Sequence, residues 1–449
     1  MSLWWDYVVE VGPRAQLLEV TGRFETGADG LFEIDPTAAA AIQNVRLESG
    51  EALVRSNGGW RLPKGFGFSS EVVQLRWEVD LDRISRSRNY SRVTDGERAA
   101  YVTQAGMFLL RPVTGWRGVR ARIQFTLGEG VQLASGMMRG RDANSFVVPA
   151  SRLDHLPATV LGDFSYSQLA VGDSTIDVAV LPGRRRVNDA EVESFVQAHT
   201  GAVADFYGQF PVAHALVVLV PSRRGGYGRA NGSGGASVLY LLDRRDDYAG
   251  VMGDWVLVHE LLHFACPLLA REHHWFEEGL STYFEPIVRH GEGWQTGEQV
   301  WAEFHGKMSN GLPRDGDLGL DRTRTWGRTY WGGALFCMLA DVEIRKRTNN
   351  AKSLRDAMRA VVEEGGSILL PATMRETLET GDRAIGVPVL VPLWEAMRHD
   401  PHPVDLDQLW TELGIERVDG GLRFDDAAEL AWLREAIAGT TSETRSSSN

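Results

Sequence analysis

Residues 258–264 read VHELLHF, and within them His259, Glu260 and His263 form an H-E-x-x-H run. In a helix, residues four apart lie on one face, so both imidazoles reach one metal ion. Glu260 then stands beside the first imidazole, where it can hold a water instead of the metal. That donor pattern points to a catalytic zinc site with a glutamate as general base. Around the run, Trp255, Val256, Leu257, Val258, Leu261, Leu262 and Phe264 are apolar on nearly every side. A buried helix from about Asp247 through Ala265 is expected, ending before Pro267. Two histidines in so apolar a helix cost free energy unless their ring nitrogens find partners, and one metal ion satisfies both.

A catalytic zinc site takes three protein ligands and keeps a fourth position for water. The next helix reads WFEEGLSTYFE, residues 275–285, and Glu278 in it is the choice for the third ligand. Glu277, His273 and His274 compete, and spacing alone does not separate the four. Glu285 lies seven residues after Glu278, on the same face, and is placed to fix the tautomer of a ligand histidine. Zinc there would bring a water's pKa toward neutrality, and Glu260 would take its proton and pass it to a leaving amine. A tyrosine hydroxyl or an imidazolium would serve the developing oxyanion.

The wider chain sets the frame. Its 449 residues exceed one ordinary core and suggest several domains. With 47 Lys plus Arg against 60 Asp plus Glu, the formal charge is -13, which argues against a nucleic-acid partner. Two cysteines, Cys266 and Cys337, make neither a disulfide framework nor a thiolate zinc site, and read as buried thiols. No apolar run is long enough to span a membrane. The first residues, MSLWWDYVVEV, lack a basic segment before an apolar core and do not read as a signal peptide. A soluble protein is expected, either cytoplasmic or exported with its leader removed.

Residues 4–150 read as β, with LLEVTGRF, VVQLRWEVDL and VRARIQFTL partly alternating and only a short helix near Pro36 to Ile42. A β-sandwich is the natural packing. Asn188 to Gly208 has helical spacing, HALVVLVP is a buried strand, and a glycine-rich loop follows. That loop lacks GxGxxG order and is not a phosphate cradle. A glycine-rich polar segment is expected over 291–325, then helices from Tyr330 to about Thr348 and from Leu354. Residues 391–404 read as irregular, Asp405 to Leu413 and Asp425 to Ile437 as short helices, and 439–449 as a disordered polar tail.

HELLH followed by WFEEGLSTYFE resembles the gluzincin metallopeptidases, closest to the M1 aminopeptidases and the M61 glycyl aminopeptidases. The shared pattern falls on Trp275, Glu278, Gly279, Tyr283 and Glu285. The resemblance implies zinc on His259, His263 and Glu278, one ion per chain, with Glu260 as base and Glu285 behind the ligands. It is similar in a third element, the Y-x-x-G of Tyr330 and Gly333, which implies that Tyr330 stabilises the oxyanion. Tyr283 ranks second, because it points away from the ligand face.

The resemblance also implies a multidomain α+β build. An N-terminal β-sandwich (4–150), a thermolysin-like zincin domain (151–350) and a helical C-terminal region (351–438) are expected. Two departures stand out. Fourteen residues separate His263 from Glu278, a shorter insert than usual, and the G-x-M-E-N signature is absent. In its place stand Gly234, Gly235 and Ala236, assigned to substrate backbone, with Glu277 or Asp243 left to hold a free amino terminus. Zinc-dependent hydrolysis of peptides or small proteins, aminopeptidase-like, is the expected activity. The alternatives are endopeptidase or epoxide-type hydrolysis on the same site, and a non-catalytic binding protein of gluzincin fold.

Overall fold

A computed structural model describes residues 3–24, 30–56, 58–63, 72–84, 86–87 and 90–438. The polar tail at 439–449 lies outside the described residues. The chain forms two compact units. One holds Met1–Val196 and Ala213–Tyr248; the other holds Gln197–Val212 and Ala249–Asn449. Together they make a multidomain α+β protein with several sheets and a helical C-terminal region.

In the first unit, alternation decides the β structure. Along Trp4–Val11 the residues Trp5, Tyr7, Val9 and Val11 are buried and their neighbours are more exposed. This strand sits inside a six-stranded sheet, parallel to Arg120–Leu127 and antiparallel to Leu17–Phe24. The buried face shares one core with a short four-stranded sheet, where the rings of Phe24 and Phe32 are 5.1 Å apart. The short helix expected near Pro36 is a run of turns leading into the strand Ile42–Leu47. Asp35 explains it: its carboxylate accepts from the Thr37 N–H at 2.8 Å, which competes with helical bonding.

A second four-stranded sheet and a five-stranded mixed sheet complete this unit. In the latter, Ser174–Val180, His214–Ser222 and Ser237–Asp243 run parallel, flanked by antiparallel Ser165–Val171 and Gly228–Asn231. The first two parallel strands are linked through helix α1, Asp189–Tyr207, as a parallel crossover requires.

The second unit is helical. Its helices include α2 (Tyr248–Met252), α3 (Val256–Leu262), α4 (His274–Gly291), α5 (Gly297–Lys307) and α6 (Gly333–Arg347). The C-terminal half of α1 packs here, with Phe206 against Phe284 at 4.9 Å between rings. Helix α5 corrects the polar segment expected over 291–325. Thr296 and Gln299 form a reciprocal capping box at its start. Residues 391–404, expected to be irregular, include most of the helix Leu390–Met397. Its N–H groups are capped by Asp382, which accepts from Val389 and Leu390 at 2.9 and 2.8 Å. Past a hairpin of Ile415–Val418 and Gly421–Phe424, the last described helix begins only at Ala431. Cys266 and Cys337 are free and buried, and burial pushes both thiols well up.

Candidate metal centre

The helix expected from Asp247 through Ala265 is divided. α2 ends at Met252, and α3 starts anew at Val256, whose N–H donates to Asp254 Oδ1 at 2.6 Å. A carboxylate there offers the backbone a local alternative to continuing the helix. α3 passes directly into a single tight turn at His263–Ala265. Val256, Leu257, Val258, Leu261 and Leu262 are buried, as are His259 and His263, while Glu260 is half-buried.

α4 brings in the carboxylate. Its Trp275 ring packs on Phe336 of α6 at 5.2 Å, and its indole N–H donates to the buried Asp321 at 2.8 Å. The helices α4 and α6 meet at two glycines. A Cβ on Gly279 would stand 2.3 Å from the Gly333 carbonyl carbon, and one on Gly333 would stand 2.1 Å from the Trp275 oxygen. Only glycine permits that approach. It carries Glu278, one residue before Gly279, to Tyr330, three residues before Gly333.

Glu278 Oε2 lies 3.2 Å from His259 Nε2 and 3.5 Å from His263 Nε2. Ligands on a tetrahedral zinc at ordinary bond lengths are separated by about 3.3 Å. Donor type, number and spacing therefore fit one zinc ion. His259, Glu260 and His263 also offer ligand atoms within 4.8 Å of one another. Burial opposes ionisation of Glu278, yet the charge on His263 and the hydrogen bond from His259 hold its carboxyl at about 2. Burial likewise opposes charge on His259, and the hydrogen bond to Glu278 with the nearby carboxylates of Glu260, Glu278 and Glu285 raises its pKa.

The competing groups sort themselves. His273 Nδ1 lies 2.9 Å from Asp321 Oδ1, in a separate cluster. Glu277 pairs with His274 Nδ1, and His274 Nε2 is 3.5 Å from the other oxygen of Glu278. Of the four candidates, Glu278 is the one brought to both His259 and His263.

Tyr330 belongs to a π-helical turn, Gly327–Gly332, that leads into α6. Such turns are often found at functional sites. Burial, followed by the nearby carboxylate of Glu278, pushes the Tyr330 phenol pKa up. The Tyr330 ring stacks between His259 (6.3 Å, 24°) and Trp326 (6.1 Å, 30°). Trp255 meets His259 edge-on at 5.5 Å. Tyr283 is instead buried on α4 with its hydroxyl 3.0 Å from Asp341.

Glu285 is buried, and burial raises its pKa to about 7 although Arg289 opposes the shift. It accepts from Arg289 at 3.0 Å, and Arg289 also donates to the Gly253 oxygen at 3.0 Å. Arg289 thus ties Glu285 to the break between α2 and α3. Sequence reasoning missed it, although Glu and Arg four apart on a helix are a legible pair.

Gly234, Gly235 and Ala236 were expected to offer backbone to a substrate. In the first unit they are already paired with a neighbouring segment. Met138 N–H donates to the Gly234 oxygen at 2.9 Å and Ala236 N–H to the Gly136 oxygen at 2.8 Å, while the Ala236 oxygen accepts from Leu216. A Cβ on Gly235 would stand 2.0 Å from the Gly136 oxygen, so that glycine serves the close approach of Gly136. Asp243 is likewise engaged, held by Arg245 at 2.6 Å.

No family model and no curated protein matches this sequence. A solved structure, described as an aminopeptidase N family protein from Idiomarina loihiensis, superposes with a TM-score of 0.67. The match covers 92% of this chain and 78% of that one at 14% sequence identity. The chain thus shares the fold of that aminopeptidase N family protein.

Proposed function

We propose that this protein is a zinc-dependent peptidase, aminopeptidase-like in build, with its catalytic machinery in the second unit. The observation that carries the reading is the convergence of Glu278 Oε2 on His259 and His263, at 3.2 and 3.5 Å, with Glu260 and Tyr330 beside them. His259, His263 and Glu278 would hold one zinc ion per chain. When bound, zinc polarises a carbonyl and lowers the pKa of a water.

The remaining chemistry belongs to the chain's own side chains. Glu260 accepts the proton of the attacking water and delivers it to the leaving amine. The Tyr330 phenol has a raised pKa and so stays protonated; its hydroxyl donates to the carbonyl oxygen as negative charge builds there. Glu278, ionised across the neutral range, supplies charge that favours a divalent cation. Glu285 lies near His259 and anchors Arg289. The shared fold supports the peptidase class, and the division into 4–150, 151–350 and 351–438 belongs to the same proposal.

Two measurements test it together. Plasma emission should find close to one zinc per chain, and amino-acyl peptide reporters should be hydrolysed. Metal below about half an equivalent, with no gain on adding zinc, sinks the metal assignment. Turnover of an epoxide but of no peptide sinks the peptidase assignment.

A further inference from the structure

A large exposed indole is set against the candidate centre. Trp326 is 63% exposed, the most exposed of the large apolar side chains among the described residues, and Trp255 is 47% exposed. Exposure alone means little, since single apolar residues are common on surfaces. Position distinguishes these two. Trp326 stacks on Tyr330, Tyr330 stacks on His259, and Trp255 meets His259, so four rings form one row across the centre. The two ends of the row are its exposed members.

Beside Trp326 lies a pocket of about 520 Å³, within the usual range for small-molecule sites. Leu312, Thr323, Thr325 and Trp326 are among its walls. Its charged lining cancels: Arg314 and Arg328 stand with Asp315 and Asp317, and Arg328 Nε is 2.8 Å from Asp317 Oδ2. That pairing takes Arg328 and Asp317 out of competition for a charged side chain. The indole offers a broad apolar face, which gains most when another apolar or aromatic group covers it.

We propose that Trp326 and this pocket form a side-chain subsite that selects substrates carrying a bulky apolar or aromatic residue next to the scissile bond. This rests on the peptidase reading above. Trp326 makes the selection and takes no part in bond cleavage.

The test uses the zinc-loaded full chain with Trp326→Ala and Trp326→Phe. Two peptide series vary the residue before and the residue after the scissile bond among Phe, Leu, Ala and Asp. The wild type should favour Phe and Leu over Ala and Asp at one of the two positions. Trp326→Ala should cut that preference, read as a ratio of kcat/KM values, by roughly 10- to 100-fold. Trp326→Phe should keep most of it. An unchanged ratio at both positions overturns the proposal. So does an equal loss on every peptide, which marks Trp326 as a support for Tyr330.

If the wild type hydrolyses no peptide, the peptidase reading fails and calorimetry decides the subsite separately. Tighter binding of a phenylalanine peptide than of its alanine counterpart, lost in Trp326→Ala, supports the subsite. Equal binding of the two peptides overturns it.

Discussion

Gly279 and Gly333 pack backbone to backbone, and this crossing sets the distance between Glu278 and Tyr330. No side chain fits between the two helices at that point. The contact links a packing requirement to the site chemistry.

Gly333→Ala therefore tests the crossing. Helix propensity alone would favour alanine by about 1 kcal/mol. Overpacking at a backbone contact costs about 1–3 kcal/mol and has no flexible neighbour to absorb it. We expect a net loss of stability in thermal unfolding, with reduced zinc retention. A variant as stable and as metal-rich as the wild type would show that the helices separate cheaply.

Glu260→Gln separates metal binding from chemistry. The amide cannot take a proton from water, yet His259, His263 and Glu278 remain. Turnover should fall by at least about a hundredfold while zinc content stays near wild type. Activity within about tenfold of wild type would remove Glu260 from its role.

Tyr330→Phe removes only the hydroxyl and keeps the ring stacked between His259 and Trp326. If the hydroxyl acts as charge develops, kcat and kcat/KM drop together by roughly one to three orders of magnitude. KM should change little. Wild-type turnover in a folded, zinc-loaded variant would make Tyr330 a packing residue.

The metal-free protein should show a pH signature. The folded pKa of His259 is raised, so its pairing with Glu278 contributes stability below the ordinary imidazole value and loses it as pH rises through the folded value. That of Glu278 is lowered to about 2, so its contribution holds above the ordinary carboxylate value and fades as pH falls toward 2. Zinc needs a neutral His259, so its uptake at about pH 7 should release protons, and its affinity should climb with pH until His259 is deprotonated. Calorimetry in buffers of different ionisation enthalpy reads the protons directly. Zero release across the neutral range would contradict the raised pKa.

Much of the centre was legible because its signals are local. The four-residue spacing of His259 and His263, the W-x-x-E-G run and the Tyr330–Gly333 pair each lie within one short segment. Groups joined from distant segments were not legible. Asp382 caps a helix that starts eight residues later, and Asp321 accepts from Trp275 across 46 positions. The π-helical turn around Tyr330 also escaped notice. Gly311 and Gly327 there pack against backbone, where a Cβ would meet the Trp331 oxygen at 2.2 Å and the Asn310 oxygen at 2.4 Å. Period-3.6 patterning carries no trace of such contacts. The capping box at Thr296 and Gln299 was different: it was readable, and the surrounding glycines obscured it.

The two buried thiols make the second unit its own reporter. Cys266 follows the turn that contains His263, and Cys337 lies four residues beyond Gly333 in α6. Burial shields both and raises their pKa, and only a thiolate alkylates at useful speed. Labelling therefore waits for the surrounding helices to part. The modification rate of each thiol, with and without zinc, clocks how often α3 and α6 open, with no probe added to the chain.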